Sequence, residues 1–386
     1  MLERLRDDFK KVFEVECTTN YFSPGRVNLI GEHTDYNGGM VFPCAITYGT
    51  YAVVRKREDR IVRLYSNNFQ NIGIVEVSLD ALVFDKKDDW ANYAKGVMYF
   101  LQEEGYNLTG FDILLEGNIP NGAGLSSSAS LEVLIGTICK EECNLSIDMV
   151  EIVKISQKAE NKFIGVNCGI MDQFIIGMGK KNHAIALNTA TLEYVYAPVQ
   201  LDDASIVIMN TNKQRGLADS KYNERRGECE EALAILQKHK DIQTLCDLSV
   251  KEFEEISHYI KNEVILKRAK HAISENERVK EAITALENND ITTFGKLMNA
   301  SHISLRDDYE VTGKELDTLV SSAWKQDGVI GARMTGAGFG GCAIALVKND
   351  KIEEFKTNVS KEYTEVIGYA PDFYIASIGD GARKVC

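Results

Sequence analysis

Three short segments gather the residue types that can do chemistry. The first is Gly25-Arg26-Val27-Asn28-Leu29-Ile30-Gly31-Glu32-His33-Thr34-Asp35-Tyr36-Asn37-Gly38-Gly39. An apolar stretch delivers one arginine, two carboxylates and a histidine into a tight polar turn. A solvated loop rarely concentrates that set beside a buried strand. Carboxylates fixed in space are strong acceptors for hydroxyls, so the pattern suits a polyhydroxylated ligand such as a sugar. The second is Gly117-Asn118-Ile119-Pro120-Asn121-Gly122-Ala123-Gly124-Leu125-Ser126-Ser127-Ser128-Ala129-Ser130-Leu131. Successive backbone N–H groups in such a loop, aided by a helix N-terminus, can hold an anion. The serines add donors and a metal ligand. The Gly-Lys-Ser/Thr ending of a P-loop is absent, and a flexible turn is the alternative reading. The third is Arg333-Met334-Thr335-Gly336-Ala337-Gly338-Phe339-Gly340-Gly341-Cys342. Gly336, Gly338 and Gly341 match G-x-G-x-x-G, but an apolar strand follows instead of a helix, which is wrong for a dinucleotide fingerprint. A loop that lets backbone approach a ligand closely fits, as does a plain turn.

The surrounding pattern supplies elements to hold these segments. Leu2, Leu5, Phe9, Val12 and Phe13 share one face at helical spacing, which predicts an opening surface helix. Strands are expected over 26–30 and 111–116, around 184–188 and 205–210, and late in the chain over 342–347 and 373–378. Alternation over 50–66 about Glu58-Asp59-Arg60 reads as a hairpin. Helices are expected over 131–143 and 148–163, the second capped by Asp148. The stretch from Leu217 to Thr318 reads as mostly helical. Helices and strands mix without regular βαβ alternation, so the fold class expected is α+β. The strands give way to the helical stretch near residue 200, which divides the chain into expected domains 1–200 and 201–386.

Composition narrows the function classes. The chain has 386 residues, enough for two or three domains with substantial cores. Its 57 acidic against 44 basic residues give a formal charge of −13. That argues against wrapping nucleic acid or an anionic membrane. A net charge does not exclude an anionic small molecule, because local donors matter more than the total. The uncharged run 36–54 is rich in turn residues and fits buried strands better than a membrane span. The nine cysteines are an odd number and contain no C-x-x-C pair; Cys139 and Cys143 lack a nearby histidine. They read as reduced, mostly buried thiols of a cytoplasmic protein.

Together the three segments resemble the small-molecule kinase superfamily that groups galactokinase, homoserine kinase, mevalonate kinase and phosphomevalonate kinase. The first segment resembles the galactokinase signature without a gap. The resemblance extends to Trp90-Ala91-Asn92-Tyr93, Cys168-Gly169-Ile170-Met171-Asp172-Gln173, Tyr222 ahead of Arg225-Arg226, and Asp380-Gly381-Ala382. It implies two α+β domains with the active site in the cleft between them. It implies phosphorylation of galactose at C1 by ATP with Mg²⁺. Asp172 would be the base, with Arg26 holding it ionised and stabilising the transferring group. Glu32, His33, Thr34, Asp35, Gly169 and Tyr222 would bind the sugar. Gly122, Ala123, Gly124, Leu125, Ser126, Ser127 and Ser128 would cradle the phosphates, and Ser128 with Glu160 would hold Mg²⁺. Ser66, Trp90 and Tyr93 would lie near the adenine. No obligatory protein partner is implied. A kinase for a related sugar, such as N-acetylgalactosamine or arabinose, and a galactose-sensing regulator with the same body are the alternatives.

Overall fold

The computed structural model describes residues 1–120, 124–213 and 218–386. Asn121, Gly122 and Ala123 of the second glycine segment, and Leu217 at the expected start of the helical stretch, lie outside the described residues.

The opening helix α1 (Leu2–Phe13) buries Leu5, Phe9 and Phe13 against Val53 and Leu114 of the first sheet. That sheet has six strands, in the order β13 (Arg383–Val385), β1 (Thr19–Asn28), β3 (Pro43–Lys56), β6 (Phe111–Gly117), β4 (Ile61–Ser66) and β5 (Val75–Ser78). The hairpin expected over 50–66 is not formed. β6 lies between β3 and β4, antiparallel to the first and parallel to the second. The reason is burial. Phe111 to Leu115 are buried without alternation, and a strand covered on both faces belongs at a sheet's centre. Gly110 lets it enter there. Its N–H bonds Asp59 O at 2.7 Å, and a Cβ at Gly110 would fall 2.2 Å from Ile61 O.

The other face of this sheet carries α2 (Ala91–Glu103), α3 (Ser127–Cys143), α4 (Met149–Ala159) and α5 (Met171–Met178), which share one apolar core with it. Asp148 caps α4 as expected, accepting from Glu151 N. The helix expected to run to 163 changes character at Glu160, where a π turn spans Glu160–Ile164. Such turns recur at functional sites because they re-aim side chains.

A small sheet joins β2 (Met40–Val41), β7 (His183–Asn188) and β8 (Tyr194–Pro198). The third sheet orders β10 (Val329–Thr335), β11 (Cys342–Lys348), β9 (Ala204–Asn210) and β12 (Asp372–Ala376). Around it pack α6 (Ala218–Leu236), α7 (Val250–Ile256), α8 (Glu263–Glu287), α9 (Ile291–Asp307), α10 (Gly313–Trp324) and α11 (Ile352–Ile367). An apolar seam joins the two halves: Val27, Ile30 and Phe42 pack with Ile208, Phe294 and Ile344. β13 then returns to the first sheet and pairs with β1, Asn20 opposite Val385. The architecture is α+β throughout. Among the described residues, no helix is long and apolar enough to cross a membrane.

Candidate active site

Arg26 lies near the end of β1, just past a register shift between Pro24 and Arg26. Such an irregularity turns a side chain out of the strand's alternation. Its guanidinium meets the Asp172 carboxylate as a fork, Nε to Oδ1 and Nη2 to Oδ2, both at 2.8 Å. Nη1 donates to Gly124 O at 2.7 Å, and the backbone N–H of Arg26 donates to Leu125 O at 3.2 Å. Gly124 and Leu125 of the expected phosphate loop therefore turn their carbonyls to Arg26. Ser126 donates its hydroxyl to Asp172 Oδ2. Oδ2 thus has two donors and Oδ1 one, which leaves Oδ1 free to accept from a ligand.

Arg26 and Asp172 line a cavity of ≈ 320 Å³ with Glu32, His33, Asp35, Gly169 and Tyr222. Residues of both halves meet there, since Tyr222 comes from α6, and Gly336 and Ala337 from the late glycine loop. Asp35 and Gly169 are in close approach. A Cβ at position 169 would lie 1.7 Å from Asp35 Oδ2, so a residue larger than glycine displaces the carboxylate. Burial, then the charges of Asp172 and Glu32, push Asp35 up to about 7. Glu32 is buried and well satisfied: Oε1 accepts from Gly336 N at 2.8 Å and faces Arg333 Nη1 at 3.3 Å, and Oε2 accepts from Asn28 Nδ2 at 3.1 Å. Burial, with positive charge from Arg225 and Arg333 nearby, holds His33 down at about 3, so its ring is neutral.

Thr34 departs from its expected role as a sugar ligand. It is fully buried, does not line the cavity, and spends its hydroxyl on the carbonyls of Gly31 and Met40 at 3.0 and 2.7 Å. It closes the turn that presents its neighbours.

A second cavity of ≈ 250 Å³ brings together Ser66, Trp90, Tyr93, Ser127 and Ser128. Phe69 stacks on Trp90 at 6.5 Å between centroids, and Leu115, Ile119 and Leu131 add apolar wall. Aromatic and apolar walls beside the start of α3 suit a planar base whose phosphates reach a helix N-terminus. Ser128 Oγ donates to Glu160 Oε1 at 3.0 Å, while Oε2 accepts from Gln173 Nε2 at 2.6 Å. Burial and the charge of Asp172 push Glu160 up. A cation would relieve that repulsion. Two hard oxygens from separate elements fit Mg²⁺, which takes the rest of its shell from phosphate and water.

Sequence reasoning missed the residues that hold the sugar loop from behind. Glu275 of α8 accepts from the N–H groups of Gly31 at 3.0 Å and Glu32 at 3.3 Å. Burial alone would raise it, yet Arg278 foremost, with Arg333, holds it at about 2. His271 Nε2 donates to Glu32 O at 3.1 Å, and Asn276 accepts from Met40 N at 2.8 Å. Arg333 donates to Asn28 O at 3.0 Å. The available signal was charge at inward positions of a helix: His271 and Glu275 are four apart on α8 and fully buried.

Comparison with known proteins agrees with this geometry. A family model described as the galactokinase galactose-binding signature matches residues 7–56, and the GHMP kinase N-terminal and C-terminal models match 92–180 and 282–365. A galactokinase of Ligilactobacillus salivarius is 62% identical over 380 residues, which is 98% of each chain. The structure of a Lactococcus lactis galactokinase complexed with galactose superposes with a TM-score of 0.97 at 51% identity and covers 100% of both chains. The Methanococcus jannaschii mevalonate kinase, 19% identical with a TM-score of 0.67 over 94% of this chain and 99% of its own, shares the fold. At such identity over essentially the whole length, the chain belongs to the galactokinase family.

Proposed function

We propose that the protein transfers the γ-phosphoryl group of ATP to the anomeric hydroxyl of α-D-galactose, releasing ADP and galactose 1-phosphate. The observation that carries this reading is Asp172. Arg26 and Ser126 hold its carboxylate on one side, and Oδ1 is left to accept in the cavity that Asp35 and Glu32 share. Phosphoryl transfer needs mainly positioning and charge neutralisation. Asp172 accepts or orients the proton of the attacking hydroxyl. Arg26 orients the Asp172 carboxylate through its fork of hydrogen bonds and stabilises charge on the transferring group. Asp35, Glu32 and Tyr222 fix the sugar, His33 and Gly169 shape the wall around it, and Ser127 with Ser128 meets the phosphates beside the aromatic cavity. Ser128 and Glu160 would hold Mg²⁺, which would supply positive charge against the phosphates. Use of cellular ATP and the buried thiols of Cys44, Cys139 and Cys229 support a cytoplasmic setting. Purified protein with Mg²⁺-ATP is expected to release ADP with galactose and hardly any with glucose, mevalonate or homoserine. Strong turnover on another of these, with none on galactose, rejects the reading.

Two further outcomes follow from the charges. Glu160→Gln is expected to raise the Mg²⁺ concentration for half-maximal rate, with galactose affinity in the absence of nucleotide nearly unchanged. An unchanged Mg²⁺ requirement would assign the ion to other groups. Burial pushes the Asp35 carboxyl up to about 7, and its ionised form is the better hydroxyl acceptor. The protonated fraction falls as pH rises, so the KM for galactose is expected to fall between pH 6 and 8. Asp35→Asn removes the titration, and its KM should be flat over the same range. A parallel pH dependence in both proteins would assign the effect to another group.

A further inference from the structure

Behind the sugar cavity, four hydrogen bonds run in a line that the kinase reaction does not use. His33 Nε2 lies 3.2 Å from Ala337 O, and Nδ1 lies 2.7 Å from the Tyr36 hydroxyl. Tyr36 meets the Tyr309 hydroxyl at 2.8 Å, and Tyr309 meets Cys229 Sγ at 3.1 Å. Cys229 and Tyr309 are buried, and the rings of His33 and His271 flank Tyr309 at 4.8 and 4.5 Å.

The direction of the line is determined by its end. A carbonyl only accepts, so Nε2 carries the proton towards Ala337. The neutral ring then accepts at Nδ1, and Tyr36 donates there. A hydroxyl has one proton, so Tyr36 receives from Tyr309, and Tyr309 receives from the Cys229 thiol. Four protons serve four contacts with none left over. Reversing any one of them sets two acceptors or two donors face to face in a buried site, which is costly.

Ala337 is one end of a two-point closure. Glu32 accepts from the N–H of Gly336, and His33 donates to the next carbonyl. Two consecutive residues of the sugar loop therefore grip two consecutive residues of the late glycine loop, and all four line the cavity. His33 holds this position at φ 62, a backbone conformation that non-glycine residues seldom adopt, with Asn37 Nδ2 bonded to its carbonyl at 2.8 Å.

We infer that Tyr36, Tyr309 and Cys229 are positioning residues that fix His33 in its Nε2–H tautomer, so that His33 latches the sugar loop to the late glycine loop. The kinetic part of this inference rests on the sugar site proposed above; the tautomer does not.

The test uses the full chain labelled with ¹⁵N-histidine, with the His33 signal identified by its loss in His33→Gln. Long-range proton–nitrogen spectra should show a protonated Nε2 and an accepting Nδ1. Tyr36→Phe should shift the Nδ1 resonance and raise the KM for galactose about 5- to 50-fold, the scale of one buried unpaired group. The KM for ATP should stay put and kcat should change only a few-fold. Tyr309→Phe leaves the Tyr36–His33 bond and should give a smaller rise. Cys229→Ser keeps a donor and should stay close to wild type, whereas Cys229→Ala should not. A proton on Nδ1 in the wild-type protein overturns the inference, as does an unchanged galactose KM in folded Tyr36→Phe. If that variant does not fold, Tyr309→Phe decides by the same two readings. A correct tautomer in a protein that does not phosphorylate galactose would reject the proposed function and leave the latch standing.

Discussion

Asp172→Asn is expected to lower kcat about 10²-fold or more while galactose still binds, the usual scale for loss of a general base. The amide keeps the shape and can still accept from Arg26 through its one oxygen. Placed at Oδ1, its nitrogen faces the Arg26 Nε–H; placed at Oδ2, it faces both the Nη2–H and the Ser126 hydroxyl. The variant therefore loses proton acceptance and part of the alignment together. Calorimetry and steady-state rates separate the two. Sugar binding abolished, or kcat within a few-fold of wild type, rejects the catalytic role. Arg26→Ala should also lower kcat strongly, because it removes the fork on Asp172 and the bond to Gly124 O at once. The losses in the double variant should fall short of additive, since both residues act on one transferring group.

The second large effect is at Asp35. Galactose and glucose differ only in the configuration at C4, so a site tells them apart with an acceptor fixed in one direction. Asp35 is held in that way. Only glycine at position 169 leaves room for its Oδ2, and Thr189 Oγ1 bonds its backbone carbonyl at 2.8 Å. A hydrogen bond to a charged group contributes roughly 1.5–3 kcal/mol, so Asp35→Ala should lower kcat/KM for galactose about 10- to 150-fold. Glucose should lose much less, and the ratio between the sugars should shrink. If Asp35 only braces the loop, both sugars fall by the same factor. Measuring kcat/KM for both decides.

What could be read from the sequence depended on how local the chemistry was. The sugar loop, the serine loop and the glycine loop are each contiguous, so their residue types spoke for themselves, and the structure gathers them around two cavities. Thr34 stood in the same run but closes the turn, and only its burial reveals that. Ser126 stood among residues expected at phosphate, yet its bond is to Asp172, 46 positions away. Alternation correctly marked strands on both sides of Asp59. It carries no information about which strand lies beside which, and so β6 went unseen between them. Glu275, His271 and Arg333 escaped for the same reason. Their targets lie more than 200 residues distant, and nothing in the periodicity of a helix or a strand names a distant partner.

That distance bears on how the molecule comes to be competent. The bond from Gly31 N to Glu275 spans 244 positions, and that from Met40 N to Asn276 spans 236. Contacts so far apart in sequence form late, because the loop between them must be closed before they can reward it. The sugar loop looks like a local turn, but its geometry is a product of the finished tertiary structure. A chain in which only β1, β3 and β6 of the first sheet had paired would still lack a shaped sugar site. The ordering cost of the loop is met during folding, so an arriving ligand finds it already in place.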